Sequence, residues 1–120
     1  MARELTVAAV QMYCNRSGAE NLAAAEEWIR QAAGAGAQVI LLPELFENWY
    51  FCQERNYDSY KLASTVWENK AVCRLRQVAA ELNVALPVSF FERAGNVTYN
   101  SVAMIDADGE LKGVYRKTHI

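Results

Sequence analysis

Long apolar runs are missing from this sequence, and so is any excess of positive charge. The most apolar stretches, LTVAAVQM and VALPVSFF, are far shorter than the roughly 18 residues a spanning helix needs, so no membrane partner is expected. Twelve Lys and Arg stand against fourteen Asp and Glu, a formal net charge of -2. Nucleic-acid binding needs a basic face and is not expected either. Histidine occurs once, proline twice and cysteine three times. Cys14, Cys52 and Cys73 lie far apart and form no CxxC pair, which speaks against a zinc site and against a disulfide framework. The opening MARELTVAAVQM has no small-residue cleavage site behind a long apolar core, so no signal peptide is read there and a cytoplasmic location is expected. Without a secretion signal, the glycosylation patterns at Asn15 and Asn96 are read as chance matches.

What is present reads as alternating strands and helices. At 120 residues and 52% hydrophobic, the chain has the size of one domain. LTVAAVQM (Leu5 to Met12) is apolar and rich in β-branched residues, as in a strand covered on both faces. Ser17 and Glu20 form a capping-box signature, and Leu22, Ala25, Ile29 and Ala32 then recur at helical spacing. Gly34 and Gly36 end that helix. QVILL (Gln38 to Leu42) is a second buried strand, closed by Pro43. Strand, helix and strand with short links predict a parallel pair with a right-handed crossover.

A polar and aromatic loop runs from Asn48 to about Ser59, and loops of that length tend to carry function. Thr65 with Glu68 is a second capping box. Val72, Leu75, Ala79 and Leu82 mark the next helix, which Asn83 can close in a left-handed conformation. VALPVSFF (Val84 to Phe91) is a third strand, where Pro87 predicts an edge or a bulge. Turns at 94–96 and 106–109 then separate the strands VTYNSVAMI and LKGVYR, which should form antiparallel hairpins. The expected fold is α/β: βαβαβ followed by antiparallel strands, with helices on one face of a mixed sheet. Two helices cannot cover both faces of strands that are apolar on both sides, so the second face needs a cover from elsewhere.

Glu44 follows ILLP at the carboxyl end of a parallel strand, where open α/β sheets place their ligand crevices. Apolar surroundings there would raise its pKa and suit it to proton transfer. The same position also fits a plain polar residue opening a loop. Lys117, behind another strand, could hold a developing oxyanion. It equally fits a solvated basic patch with Arg116. His119 has no Ser or Cys partner nearby and reads as structural. Cys73, beside Val72 within a helix, reads as core packing. Neither Cys14 nor Cys52 has the strand-and-sharp-turn setting of an attacking thiol. Trp49, Tyr50 and Phe51 could wall a substrate pocket or simply pack the loop down. AGAGAQ follows a helix and precedes a strand, the reverse of a phosphate-binding glycine loop, and is set aside.

The runs AQVILLPELFENWYFCQ and DADGELKGVYRKTHI, in this order, resemble the carbon–nitrogen hydrolase (nitrilase) superfamily. The resemblance extends over essentially the whole chain, and PELFENWYFCQ and VSFFE point to a branch acting on carbamoyl amines. It implies an α-β-β-α sandwich, of which residues 1–120 would be the N-terminal part of a single domain. It implies a Glu-Lys-Cys triad in which Glu44 is the general base and acid and Lys117 stabilises the oxyanion. The nucleophilic Cys would lie beyond residue 120. The reaction implied is hydrolysis of N-carbamoylputrescine to putrescine, carbon dioxide and ammonia, with no metal or other cofactor, in a homo-oligomer. What grips the distal amine is not given by the sequence; on position alone Glu47 and Tyr50 are candidates, with Trp49 beside them. Two alternatives remain open at this point: a non-catalytic half-module that needs a partner, and a related amidase with another carbamoyl or amide substrate.

Overall fold

The computed structural model describes residues 2–49 and 57–119. Strand β1 (Val7–Ala9) lies parallel to β2 (Val39–Leu41), with Val7 opposite Val39 and Ala9 opposite Leu41. Helix α1 (Gly18–Gly34) makes the crossover between them, as the strand–helix–strand spacing predicts. Both strands are shorter than their apolar runs. Hydrogen bonds extend the pairing by one residue at either end, from Gln38 N–H to Thr6 O and from Val10 N–H to Leu41 O. Past that point Pro43 turns β2 away, and the rest of the Leu5–Met12 run has no ladder to join.

The sheet continues through a parallel bridge between Val39 and Ala85. Ala85 N–H donates to Gln38 O at 2.9 Å, and Ile40 N–H donates to Ala85 O at 3.1 Å. Residue 87 would supply the next donor in that series, and Pro87 has no N–H. The ladder therefore stops, which is how this proline acts, rather than by a bulge in its own strand. Beyond it, the segment at Ser64 takes over the edge of β3 (Leu86–Ala94): Ser64 N–H donates to Phe91 O at 3.1 Å and Arg93 N–H to Ser64 O at 2.8 Å. Strands β3, β4 (Val97–Ile105) and β5 (Leu111–Arg116) then form an antiparallel meander. Its one register shift falls at Met104 and Ile105, against β5.

Ser17 caps α1 by accepting the Glu20 N–H at 3.3 Å. The reciprocal half of the expected capping box is absent: Ser17 N–H donates to Asn15 Oδ1, and Glu20 instead accepts from the Asn15 amide. Helix α2 (Lys70–Leu82) starts later than Thr65 and Glu68 suggest. Those two residues close a turn, and Asn69 is the cap, its Oδ1 accepting the Val72 N–H at 2.9 Å. Asn83 ends the helix at φ 56°, in the left-handed region as expected. At the turn between β4 and β5 Gly109 has φ 84°, and a Cβ there would sit 2.6 Å from the Arg76 carbonyl oxygen.

Both helices cover one face of the sheet. Ala25 and Ile29 from α1, and Val72, Leu75, Val78 and Ala79 from α2, pack over Ile40, Leu86, Val88, Phe90, Ala103 and Ile105. Alternation puts the neighbours of these strand residues on the other face. There Val7, Leu41, Met104 and Tyr115 are 65%, 50%, 42% and 63% exposed. Only one helical layer is present among the described residues, so the second face of β1 and β2 is left open, the face for which the sequence calls for a cover from elsewhere. The result is one helical layer on one mixed sheet, a half of the sandwich that the resemblance implies.

Candidate active site

Glu44 is carried on a strained turn. Leu45, the next residue, has φ 52°. A left-handed backbone at a bulky residue costs on the order of 1–3 kcal/mol. Burial of Leu45 and Phe46, together with a 2.8 Å hydrogen bond from Leu45 N–H to Ser89 Oγ, holds the turn in place. Ser89 is itself buried in β3, so the turn after β2 is fastened to the neighbouring strand.

Lys117 follows the last residue of β5. That strand end is anchored from the helical face. Arg116 donates to Glu92 through Nε at 2.9 Å and Nη2 at 3.0 Å, and Ser101 Oγ adds a third donor at 2.8 Å. Glu92 is 6% exposed, and the Arg116 guanidinium holds its carboxyl below the ordinary value for a glutamate. The same guanidinium lies over the Tyr99 ring at 4.1 Å. Because side chains alternate, fixing Arg116 on the helical face sends Lys117 to the open one.

There the two predicted residues meet. Lys117 Nζ lies 2.6 Å from Glu44 Oε1, across 73 residues of sequence. Strand β5 runs in the same direction as β3 and β2, so both residues project from carboxyl ends of strands. Asn100 Nδ2 donates to the same Oε1 at 2.6 Å, and Asn100 O accepts the Lys117 N–H at 2.8 Å. The apolar surroundings expected for Glu44 are not what the structure has. Its side chain is 40% exposed, and a cation and an amide share one of its oxygens. A half-exposed ion pair contributes little to stability. Its consequence is geometric: a proton acceptor and a fixed positive charge are held side by side. Asn100 was not legible as a site residue, although a buried Asn within a strand is itself a signal, since strands are depleted in Asn.

The remaining candidates lie elsewhere. Glu47 Oε1 accepts from Asn69 Nδ2 at 2.9 Å, and its carbonyl accepts from Asn21, tying the loop to both helix starts. It lines a hollow of about 730 Å³ with Leu22, Lys61, Ser64 and Arg74; Glu44 and Lys117 do not line it. The Trp49 ring carries the Arg16 guanidinium at 5.4 Å, and its buried indole N–H has no hydrogen-bond partner among the described residues. Tyr50, Phe51 and Cys52 lie outside the described residues. Burial pushes the Cys14 thiol up, the wrong direction for a nucleophile. Cys73 is exposed, not part of the core: the buried stripe of α2 runs through Val72 and Leu75, and Cys73 falls on the water side. His119 is exposed. Among the described residues no group of His, Cys, Asp and Glu is arranged to hold a metal ion. No described helix is long and apolar enough to cross a membrane.

A carboxylate and a lysine ammonium thus lie side by side at strand ends of a mixed α/β sheet. The family model described as carbon-nitrogen hydrolase matches residues 6–120, and the chain belongs to that family. It is 46% identical over 118 residues to N-carbamoylputrescine amidase from Arabidopsis thaliana, covering 98% of this chain and 40% of that protein. It is 51% identical over 116 residues to citrullinase from Francisella tularensis, covering 97% of this chain and 41% of that protein. The crystal structure of a carbon-nitrogen hydrolase from Helicobacter pylori superposes with a TM-score of 0.87 at 27% identity, over 97% of this chain and 40% of that one. The chain thus spans about two fifths of the length of these proteins.

Proposed function

We propose that this chain is the N-terminal part of a single hydrolase domain, and that it supplies the acid–base and oxyanion residues for cleaving a terminal ureido group. N-carbamoylputrescine is the substrate proposed. The nucleophile is a cysteine thiol following residue 120. Its sulfur attacks the ureido carbonyl carbon while its proton passes to Glu44. The carbonyl oxygen becomes an oxyanion, held by the Lys117 ammonium, which stabilises charge strongly in a site closed from water. The tetrahedral centre collapses, the carbon–nitrogen bond breaks, and Glu44 returns the proton to the departing nitrogen. Glu44 then takes a proton from water, whose oxygen displaces the cysteine. The carbamic acid so released breaks its remaining carbon–nitrogen bond to give carbon dioxide and ammonia, so the net products are putrescine, carbon dioxide and ammonia. A homo-oligomeric state and a cytoplasmic location belong to the same reading.

The observation that carries it is the 2.6 Å contact between Lys117 Nζ and Glu44 Oε1 at strand ends on the open face. A second reading, citrulline as substrate, is favoured by the 51% identity to a citrullinase. Both compounds end in the same ureido group and differ at the far end, a lone amine against an amino acid. Ammonia release by the full-length protein from each compound, compared as kcat/KM, decides between them. Preference for N-carbamoylputrescine by tenfold or more is expected, about 1.4 kcal/mol of discrimination. Preference for citrulline would transfer the assignment, and release from neither would overturn the ureido reading.

A further inference from the structure

We infer that Asn100 is the positioning residue that joins Glu44 to Lys117 and sets how they act together. The inference rests on the acid–base reading of Glu44. Asn100 sits in the middle of β4, 6% exposed, in the strand that lies between β3 and β5. It uses both ends of the residue on the pair. Its side-chain amide donates to Glu44 Oε1 at 2.6 Å, and its main-chain carbonyl accepts the Lys117 N–H at 2.8 Å. Glu44 hangs from a turn fastened to β3 and Lys117 from a strand end anchored by Arg116, so the two are carried by separate elements. Asn100, on a central strand, touches both.

The chemistry of the residue type fits the task. A carboxamide N–H donor stabilises the carboxylate without adding charge, so it leaves the lysine as the positive charge beside the reacting centre. An Asp here would set two carboxylates against one ammonium, and one of them would hold a proton. Among the described residues Lys117 is a charged group that faces Glu44. Glu92 and Arg116 are paired on the opposite face of the sheet, and α1 and α2 pack on that side as well.

The test is the pH dependence of kcat/KM for ureido hydrolysis by the full-length protein, in wild type, Asn100→Leu and Asn100→Asp. Asn100→Leu keeps the main-chain carbonyl and loses the donor. Its kcat should fall about 10- to 100-fold with KM within about threefold, the loss of an oriented hydrogen bond to a charged group. Its acid limb should move up by half a pH unit or more, and that of Asn100→Asp further. A purely structural role would lower the melting temperature and the yield of active protein while leaving the acid limb in place. If Asn100→Leu does not fold, Asn100→Asp alone carries the test through the shift of its acid limb. Acid limbs that coincide with wild type overturn the inference. Glu44→Gln is measured alongside. If it keeps wild-type turnover, the acid–base reading itself fails. If it is inactive while the Asn100 variants match wild type, only this inference fails.

Discussion

On the helical face of the sheet, Leu86, Val88, Phe90, Ala103 and Ile105 are each no more than 1% exposed, while on the open face Val7, Leu41, Met104 and Tyr115 run from 42% to 65%. The charged groups divide the same way. The helical face carries Glu92 in a bidentate pair with Arg116, closed by the Ser101 hydroxyl. The open face carries Glu44 and Lys117, both about two fifths exposed. One face spends its polar residues on fixing strand ends; the other presents polar residues that those strand ends aim. Under the proposed function, stability and chemistry are separated by the thickness of one sheet, and the alternation of β-strand side chains makes the separation.

The sharpest break in that comparison is functional. Glu44→Gln or Lys117→Ala in the full-length protein should cost about a thousandfold or more in turnover, as removal of a charge-stabilising group does, with little change in the unfolding midpoint. Steady-state ammonia release and a denaturant titration of the same preparations check both halves. Next in size is the core. Leu75→Ala should lose about 2–5 kcal/mol in urea unfolding. Leu41→Ala, on the open face, should stay within about 0.5 kcal/mol when this segment is measured alone. Comparable losses at the two sites would erase the distinction between the faces.

A smaller effect is expected at the turn that closes on α2. Gly109→Ala places a Cβ 2.6 Å from the Arg76 carbonyl oxygen, at φ 84°. A loss of about 1–3 kcal/mol is expected from that strain, read from the same unfolding curves. The smallest effect is the pH dependence of the Glu92 pair. Arg116 lowers the Glu92 pKa from its ordinary 4.5, so the contribution is fully present above pH 4.5 and fades as pH falls through the folded value. Unfolding free energy measured from neutral pH to below 4 should drop less steeply in Glu92→Gln than in wild type. Equal slopes would place the acid sensitivity elsewhere.

The local parts of this fold were readable from the sequence. Strands β4 and β5 fell where expected because the turns holding Gly95 and Gly109 bound β4 on both sides and lead into β5, and Ser17 and Asn83 marked helix ends by chemistry that acts within a few residues. What depended on distant partners was not readable. The length of β1 and β2 depends on which strands are there to pair, and the start of α2 on a turn that uses up Thr65 and Glu68. Glu44 and Lys117 could be singled out as residues behind strands, but their contact spans 73 positions. Asn100 lies 56 positions from Glu44, and their contact exists only once β4 stands between β3 and β5.

The most direct test of the central claim, that Glu44 and Lys117 act as one unit, is a double-mutant cycle on ureido hydrolysis with Glu44→Gln, Lys117→Ala and the double variant. Residues that act as a unit are strongly non-additive. The double variant should be no more than about threefold slower than the slower single variant. Losses that multiply, or a single variant near the wild-type rate, would contradict it.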